Sequence, residues 1–219
     1  MSTAILFDLD GTLLDTLEDL HNATNHTLAH FGCPLRSSDE IRAFVGNGAR
    51  SLIRCALPAN CDHPTLEEAL SFYQDYYNRI SADGTAAPYP GVMDALEILK
   101  KSYSLAIVSN KPDPAVKALR DKFFPGIYAR GVSEDCPRKP APDMVHQTMK
   151  ALGADKCVYV GDSEVDVATA INAGVPCVCV LWGFRDKETL VEAGGKVFCD
   201  DAAKLAELIE SEVRKNDWV

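Results

Sequence analysis

The chain has 219 residues, 47% of them apolar, 25% charged and 8% aromatic, and at about 150 residues per domain this is one domain or one domain with a large insertion. Those proportions exclude collagen-like, disordered and membrane-spanning classes, and no apolar run approaches the roughly 18 residues that a membrane span needs. With 22 Lys and Arg against 32 Asp and Glu, the formal charge of −10 repels nucleic acid and anionic lipid at long range, so an anionic ligand must be captured by positive charge placed locally.

The first ten residues, MSTAILFDLD, have no basic segment and meet two acids after a short apolar run, which reads as neither a signal peptide nor an anchor. The first strand is expected over residues 4–7. Residues 15–87 show no convincing strand but helical periodicity over 16–30, 38–44, 49–57 and 65–80, an all-helical insert whose return point, APYPGV, is rich in Pro and Gly. Strands then alternate with helices. The strands are expected over 104–109, 127–132, 157–161 and 177–181, and the helices over 92–101, 114–122, 140–152, 164–173, 187–193 and 202–214, with Gly153, Gly174 and Gly194 as stops. Alternating β and α dictates a parallel sheet. The expected fold is therefore α/β, a doubly wound parallel-sheet, Rossmann-like core of residues 1–14 and 88–219 with an inserted all-α cap at 15–87. The eight cysteines, at 33, 55, 61, 136, 157, 177, 179 and 199, form no C-x-x-C pair and read as structural thiols of a reducing compartment, the cytoplasm.

Chemistry-bearing residues gather at the ends of the expected strands. On an extended chain Asp8 and Asp10 project to the same side, and Gly11 permits a sharp turn beyond them. Two like charges so close require a cation, although an Asp-Gly turn alone also accounts for the pattern. Ser109 and Asn110 end a second strand. Lys139 precedes a proline suited to the first turn of a helix. An apolar strand delivers Asp162 to its tip, where it also reads as a helix cap, and Asp166 follows one helical turn later. Ligands of open α/β sheets bind beyond the carboxyl ends of the strands, and Asp8, Asp10 and Asp162 there make a hard oxygen site suited to Mg²⁺. In that setting Lys139 and Mg²⁺ offset phosphate charge, Ser109 with Asn110 and Lys139 binds the phosphate, Asp8 is the nucleophile, and Asp10 is the acid and then the base.

FDLDGTLLDT, VSN, RKPAPD and GDSEVD resemble, in order, the four motifs of the haloacid dehalogenase-like hydrolase superfamily. The likeness covers essentially the whole chain, with the helical insert as the family's cap, and within the superfamily the chain looks most like the phosphoglycolate phosphatase branch, partly through Val45-Gly46-Asn47-Gly48 in the cap. The resemblance implies that Asp10 gives the metal its backbone carbonyl and that Asp166 holds a metal-bound water.

In the cap, Gly46, Asn47 and Gly48 precede a helical stretch whose N–H groups suit a small carboxylate, with Arg50 nearby, although a glycine-rich helix start explains them equally. His26 and His30 lie four apart but lack an acidic or cysteine partner pattern for a metal. Arg185 reads as an entrance or a surface residue. The expected activity is Mg²⁺-dependent hydrolysis of a small anionic phosphomonoester, 2-phosphoglycolate, through an aspartyl phosphate, without nucleic-acid or membrane partners. A β-phosphoglucomutase-like mutase and a pyrophosphatase use the same machinery. A dehalogenase has no use for Asp10, and a non-enzymatic phosphate receiver would carry its acceptor acid on a later strand, where this chain has Ser109.

Overall fold

The computed structural model describes residues 2–59, 64–81, 84–134 and 136–215. In chain order the elements are β1 (Thr3–Phe7), β2 (Leu14–Asp15), α1 (Leu17–His30), α2 (Ser38–Phe44), α3 (Ala49–Ala56), α4 (Leu66–Ile80), β3 (Ala87–Pro88), α5 (Val92–Leu99), β4 (Ser104–Pro112), α6 (Asp113–Phe123), β5 (Tyr128–Val132), α7 (Asp143–Leu152), β6 (Lys156–Gly161), α8 (Glu164–Ala173), β7 (Cys177–Val180), α9 (Lys187–Glu192), β8 (Val197–Cys199), a 3₁₀ turn at Ala202–Lys204 and α10 (Leu205–Lys215). Two compact units result, Met1–Leu14 with Pro88–Val219 and Asp15–Ala87. No helix of the described residues is long and apolar enough to cross a membrane.

In the first unit the strands lie in the order β5-β4-β1-β6-β7-β8, every neighbouring pair parallel. Successive side chains of a strand face opposite sides, so each strand feeds two cores. Ile5, Phe7, Ile107, Val158 and Val160 pack on one side with Leu96 of α5, Leu119 of α6 and Ile209 of α10. Ala4, Leu6, Val108 and Tyr159 pack on the other with Met144 of α7 and Ala170 of α8. Covering both faces explains why these strands read as nearly unbroken apolar runs. The chain winds outward from β1 through β4 to β5 and then returns to β6 on the far side of β1. Ligand crevices form at such a reversal, between β1 and β6.

Three of the differences from the sequence expectation bear on the six-stranded sheet and its helices. β8 closes the sheet edge with only three residues, too few for periodicity to show. α7 starts at Asp143 rather than 140, because Lys139 and Ala141 each precede a proline and are held out of the helical region. β4 runs to Pro112 rather than Ser109, and its register with β5 slips: Val108 opposes Arg130, but Pro112 opposes Val132. Four steps along β4 match two along β5, so residues 109–111 form a bulge, a device that re-aims side chains. Gly131 makes this possible, since a Cβ there would stand 2.6 Å from the Lys111 carbonyl oxygen.

The second unit packs α1–α4 around Leu20, Ile41, Ile53, Ala69 and Tyr73. Capping boxes start α2 (Ser37 with Glu40) and α4 (Thr65 with Glu68), each satisfying two otherwise orphaned donors. Asp19 of α1 is buried and accepts from Thr85 N and Oγ1 and from Ala86 N at 2.8, 2.9 and 3.1 Å. None of the seven described cysteines forms a disulfide; Cys55 is exposed, Cys177 half-buried and the others buried, and burial pushes the Cys157 thiol up to about 12, as expected of inert thiols. Cys61 lies outside the described residues.

Candidate active site

Asp8 stands just past β1, where its N–H donates to Val160 O at 2.9 Å and continues the β1–β6 ladder to the switch point. The chain then turns tightly, Leu9 O accepting from Leu13 N and Leu14 N at 3.0 Å. Gly11 occupies this turn with φ +86°, and a Cβ there would collide with the Asp162 carboxylate. Only glycine tolerates both conditions.

Asp162 follows β6 and is 1% exposed. Thr12 Oγ1 donates to its Oδ1 at 2.7 Å and Phe184 N to its Oδ2 at 2.9 Å. Lys139, equally buried, sits between Asp8 Oδ1 at 2.9 Å and Asp166 Oδ1 at 2.8 Å, with its Nζ also donating to Tyr159 OH at 3.1 Å. Carboxylate oxygens of Asp8, Asp162 and Asp166 all lie within 4.8 Å of one another. Burial, reinforced by the charge of Asp166 and opposed by Lys139, pushes Asp8 up to about 7. Burial, Asp166 and Asp8 hold Asp162 well above the usual carboxylate range. Burial alone would depress Lys139, but Asp166 and Asp8 together outweigh it and keep the ammonium well above its ordinary value.

The remaining sequence candidates divide. The Asp10 carboxylate is not in the three-acid group: it accepts from Lys111 Nζ at 2.8 and 3.1 Å on its two oxygens. Ser109 is buried, and its Oγ accepts from Lys111 N at 3.2 Å. The side-chain amide of Asn110, expected on phosphate, is instead engaged by the Lys139 backbone, donating to its carbonyl at 3.0 Å and accepting from its N–H at 2.8 Å. Both oxygens of Asp166, expected on a metal-bound water, already accept from protein groups: Lys139 on Oδ1, and the Ser163 hydroxyl and N–H on Oδ2 at 2.6 and 3.1 Å. Arg185 pairs with Glu164 at 2.7 Å.

In the helical unit, Gly46 and Gly48 take positive φ, +120° and +80°, on either side of Asn47, and Gly48 caps α3. Arg50 is exposed, and its guanidinium forks onto both oxygens of Glu67, so it is committed to a neighbour rather than presented to a substrate carboxylate. The imidazoles of His26 and His30 stack on Tyr76 and Phe72 at 3.8 and 4.0 Å between centroids, a packing role.

Lys111 was not legible as a site residue. At the switch point Asp8, Asp10, Asp162 and Asp166 face, among the described residues, two buried ammonium groups, Lys111 and Lys139. The uncompensated negative charge and the all-oxygen donor set fit a hard divalent cation. Acids, a lysine and a hydroxyl gathered in the crevice of a doubly wound sheet suit the binding of an anionic ligand.

The family model described as haloacid dehalogenase-like hydrolase matches residues 5–180. A phosphoglycolate phosphatase of Pseudomonas syringae pv. syringae is 36% identical over 213 residues, 92% of this chain and 77% of that protein. A crystal structure from Lactobacillus delbrueckii subsp. bulgaricus, provisionally assigned as a phosphoglycolate phosphatase, superposes with a TM-score of 0.85 at 35% identity, covering 94% of this chain and 97% of that one. CbbY of Rhodobacter sphaeroides in complex with phosphate superposes at 0.77 with 25% identity, covering 96% and 100%. The chain therefore belongs to the haloacid dehalogenase-like hydrolase family and is an enzyme, as its four motifs led one to expect.

Proposed function

We propose that this chain is a Mg²⁺-dependent phosphatase that hydrolyses 2-phosphoglycolate through an aspartyl phosphate on Asp8. The observation that carries this reading is the buried Asp8 carboxylate lying 2.9 Å from Lys139 Nζ in a group of three acids at the switch point. Relatives bearing the name phosphoglycolate phosphatase, 36% identical over 92% of the chain, support the choice of substrate.

Asp8 attacks phosphorus, the bond to the ester oxygen breaks, and the departing alkoxide takes the proton of the Asp10 carboxyl. Asp10, now a carboxylate, takes a proton from water as that water's oxygen attacks phosphorus. The bond from phosphorus to Asp8 breaks, releasing inorganic phosphate and restoring Asp8. Lys139 balances charge on the phosphoryl oxygens, and the Ser109 hydroxyl orients them. Asp8, Asp162 and the Asp10 carbonyl would hold Mg²⁺, which supplies Lewis-acid stabilisation of the phosphoryl group. Asp166 and Asn110 act one step back, by fixing the Lys139 side chain and backbone. The helical unit acts as the cap, where Gly46, Asn47 and Gly48 receive the substrate carboxylate through backbone N–H groups.

Phosphate release from a panel of small phosphomonoesters, with Mg²⁺ and with excess EDTA, tests the reading. It requires turnover with Mg²⁺, none with EDTA, and the highest kcat/KM for 2-phosphoglycolate. Turnover that depends on an added sugar bisphosphate would point to a mutase instead, and undiminished rates in EDTA would remove the metal.

A further inference from the structure

We infer that Lys111, at the bulged end of β4, is a positioning residue that orients the Asp10 carboxylate. The inference rests on the proton-transfer role proposed for Asp10. The ammonium donates to both Asp10 oxygens, and the two side chains are only 6% and 13% exposed. A lysine is expensive to bury unless paired, and a strand end that only had to be stable would gain as much from an apolar residue of the same volume. The charge therefore serves something other than packing.

What it serves follows from how firmly Lys111 is held compared with Asp10. Its N–H donates to Ser109 Oγ at 3.2 Å. Its carbonyl oxygen abuts Gly131 so tightly that a Cβ there would stand 2.6 Å away. Its strand continues into Pro112, paired opposite Val132. Asp10 by contrast lies beyond β1, in the turn closed by Leu9 O and Leu14 O and outside the ladders of the six-stranded sheet. The ion pair transfers the rigidity of the β4–β5 bulge to that carboxylate. The same bulge holds Ser109, so the group proposed to move the proton and the hydroxyl proposed to orient the phosphate share one support. A proton-transfer group displaced by about 1 Å loses on the order of 10² in rate.

The test is a double-mutant cycle in the full chain with Mg²⁺ and 2-phosphoglycolate. Lys111→Met keeps most of the stem and removes the charge. Its kcat should fall about 10²-fold, with KM and the Mg²⁺ concentration for half-activity shifting less than about threefold, and Lys111→Arg should recover at least a tenth of the wild-type rate. In an Asp10→Asn background Lys111→Met should cost less than about twofold further, because its route to the chemistry is already cut. A merely structural lysine would lower activity equally in both backgrounds, and that result, or an unchanged kcat, overturns the inference. If Lys111→Met does not fold, Lys111→Gln, which retains N–H donors, carries the same cycle with the same two outcomes. Failure of the phosphatase reading shows elsewhere, as turnover retained by Asp8→Asn.

Discussion

In the helical unit the buried charge among the described residues is Asp19, met by three donors from residues 85 and 86. In the sheet unit Asp8, Asp162 and Asp166 crowd within 4.8 Å around one buried ammonium. The first carboxylate is satisfied by protein and pins a returning segment to α1. The second group is in charge deficit, and burial together with the neighbouring acids raises the carboxyl of Asp8 to about 7 and holds that of Asp162 above the usual carboxylate range. Complete satisfaction marks a structural polar group, whereas an organised deficit at a switch point marks a place for a ligand.

Removing a charge should therefore have opposite consequences in the two units. Asp8→Asn should lower kcat by about 10⁴-fold or more, since an amide cannot form the acyl phosphate. It should not destabilise the metal-free protein at pH 8. The Asp8 carboxyl rises from its ordinary 3.8 to about 7 on folding, so its stabilising contribution is complete below 3.8 and is lost as the pH climbs through about 7. The amide evades that loss. An unfolding midpoint for Asp8→Asn well below wild type at pH 8 would erase the contrast. Asp19→Ala, by the same comparison, should cost about 1–3 kcal/mol, because three donors lose their acceptor; urea titration measures it, and a neutral result would show that the 84–86 segment is held by something else.

Smaller effects sharpen the same line. In the proposed metal site protons and Mg²⁺ compete for Asp8, so below about pH 7 the Mg²⁺ dissociation constant should rise by up to about tenfold per pH unit. Calorimetry at pH 5.5 and 8 measures this, and a pH-independent constant would take Asp8 out of the metal site. The smallest effect belongs to Arg50→Ala, expected to change kcat/KM for 2-phosphoglycolate by less than about twofold, as usual for an exposed ion pair. A large loss confined to 2-phosphoglycolate would return the guanidinium to the substrate.

Much of this was legible because it depends on chain-local signals. The apolar runs that end in Asp8, Ser109 and Asp162 are strands of one sheet, and parallel strands deliver their carboxyl ends to one edge. The α8 stop at Gly174, φ +68°, follows equally from local preference. What sequence reasoning missed depends on register. A β4 continuing past Ser109, with a bulge opposite Gly131, places Lys111 inward and turns the Asn110 amide to the Lys139 backbone, and no periodicity encodes which strand lies alongside. A charged residue directly after VSN in an otherwise apolar strand was the one available hint. The pairing of Arg50 was illegible for a similar reason: Glu67 is seventeen positions away on another helix.

Tyr159 gives the site a floor. Fully buried, its hydroxyl accepts from Lys139 Nζ at 3.1 Å and lies 3.2 Å from both Val108 O and Asp166 Oδ1. The phenol thereby supports the Lys139 ammonium from within the sheet, with its own hydrogen bonds already allotted. The positive charge proposed to meet the phosphate is therefore a fixed feature of the scaffold, held by a phenol and two carboxylates at once.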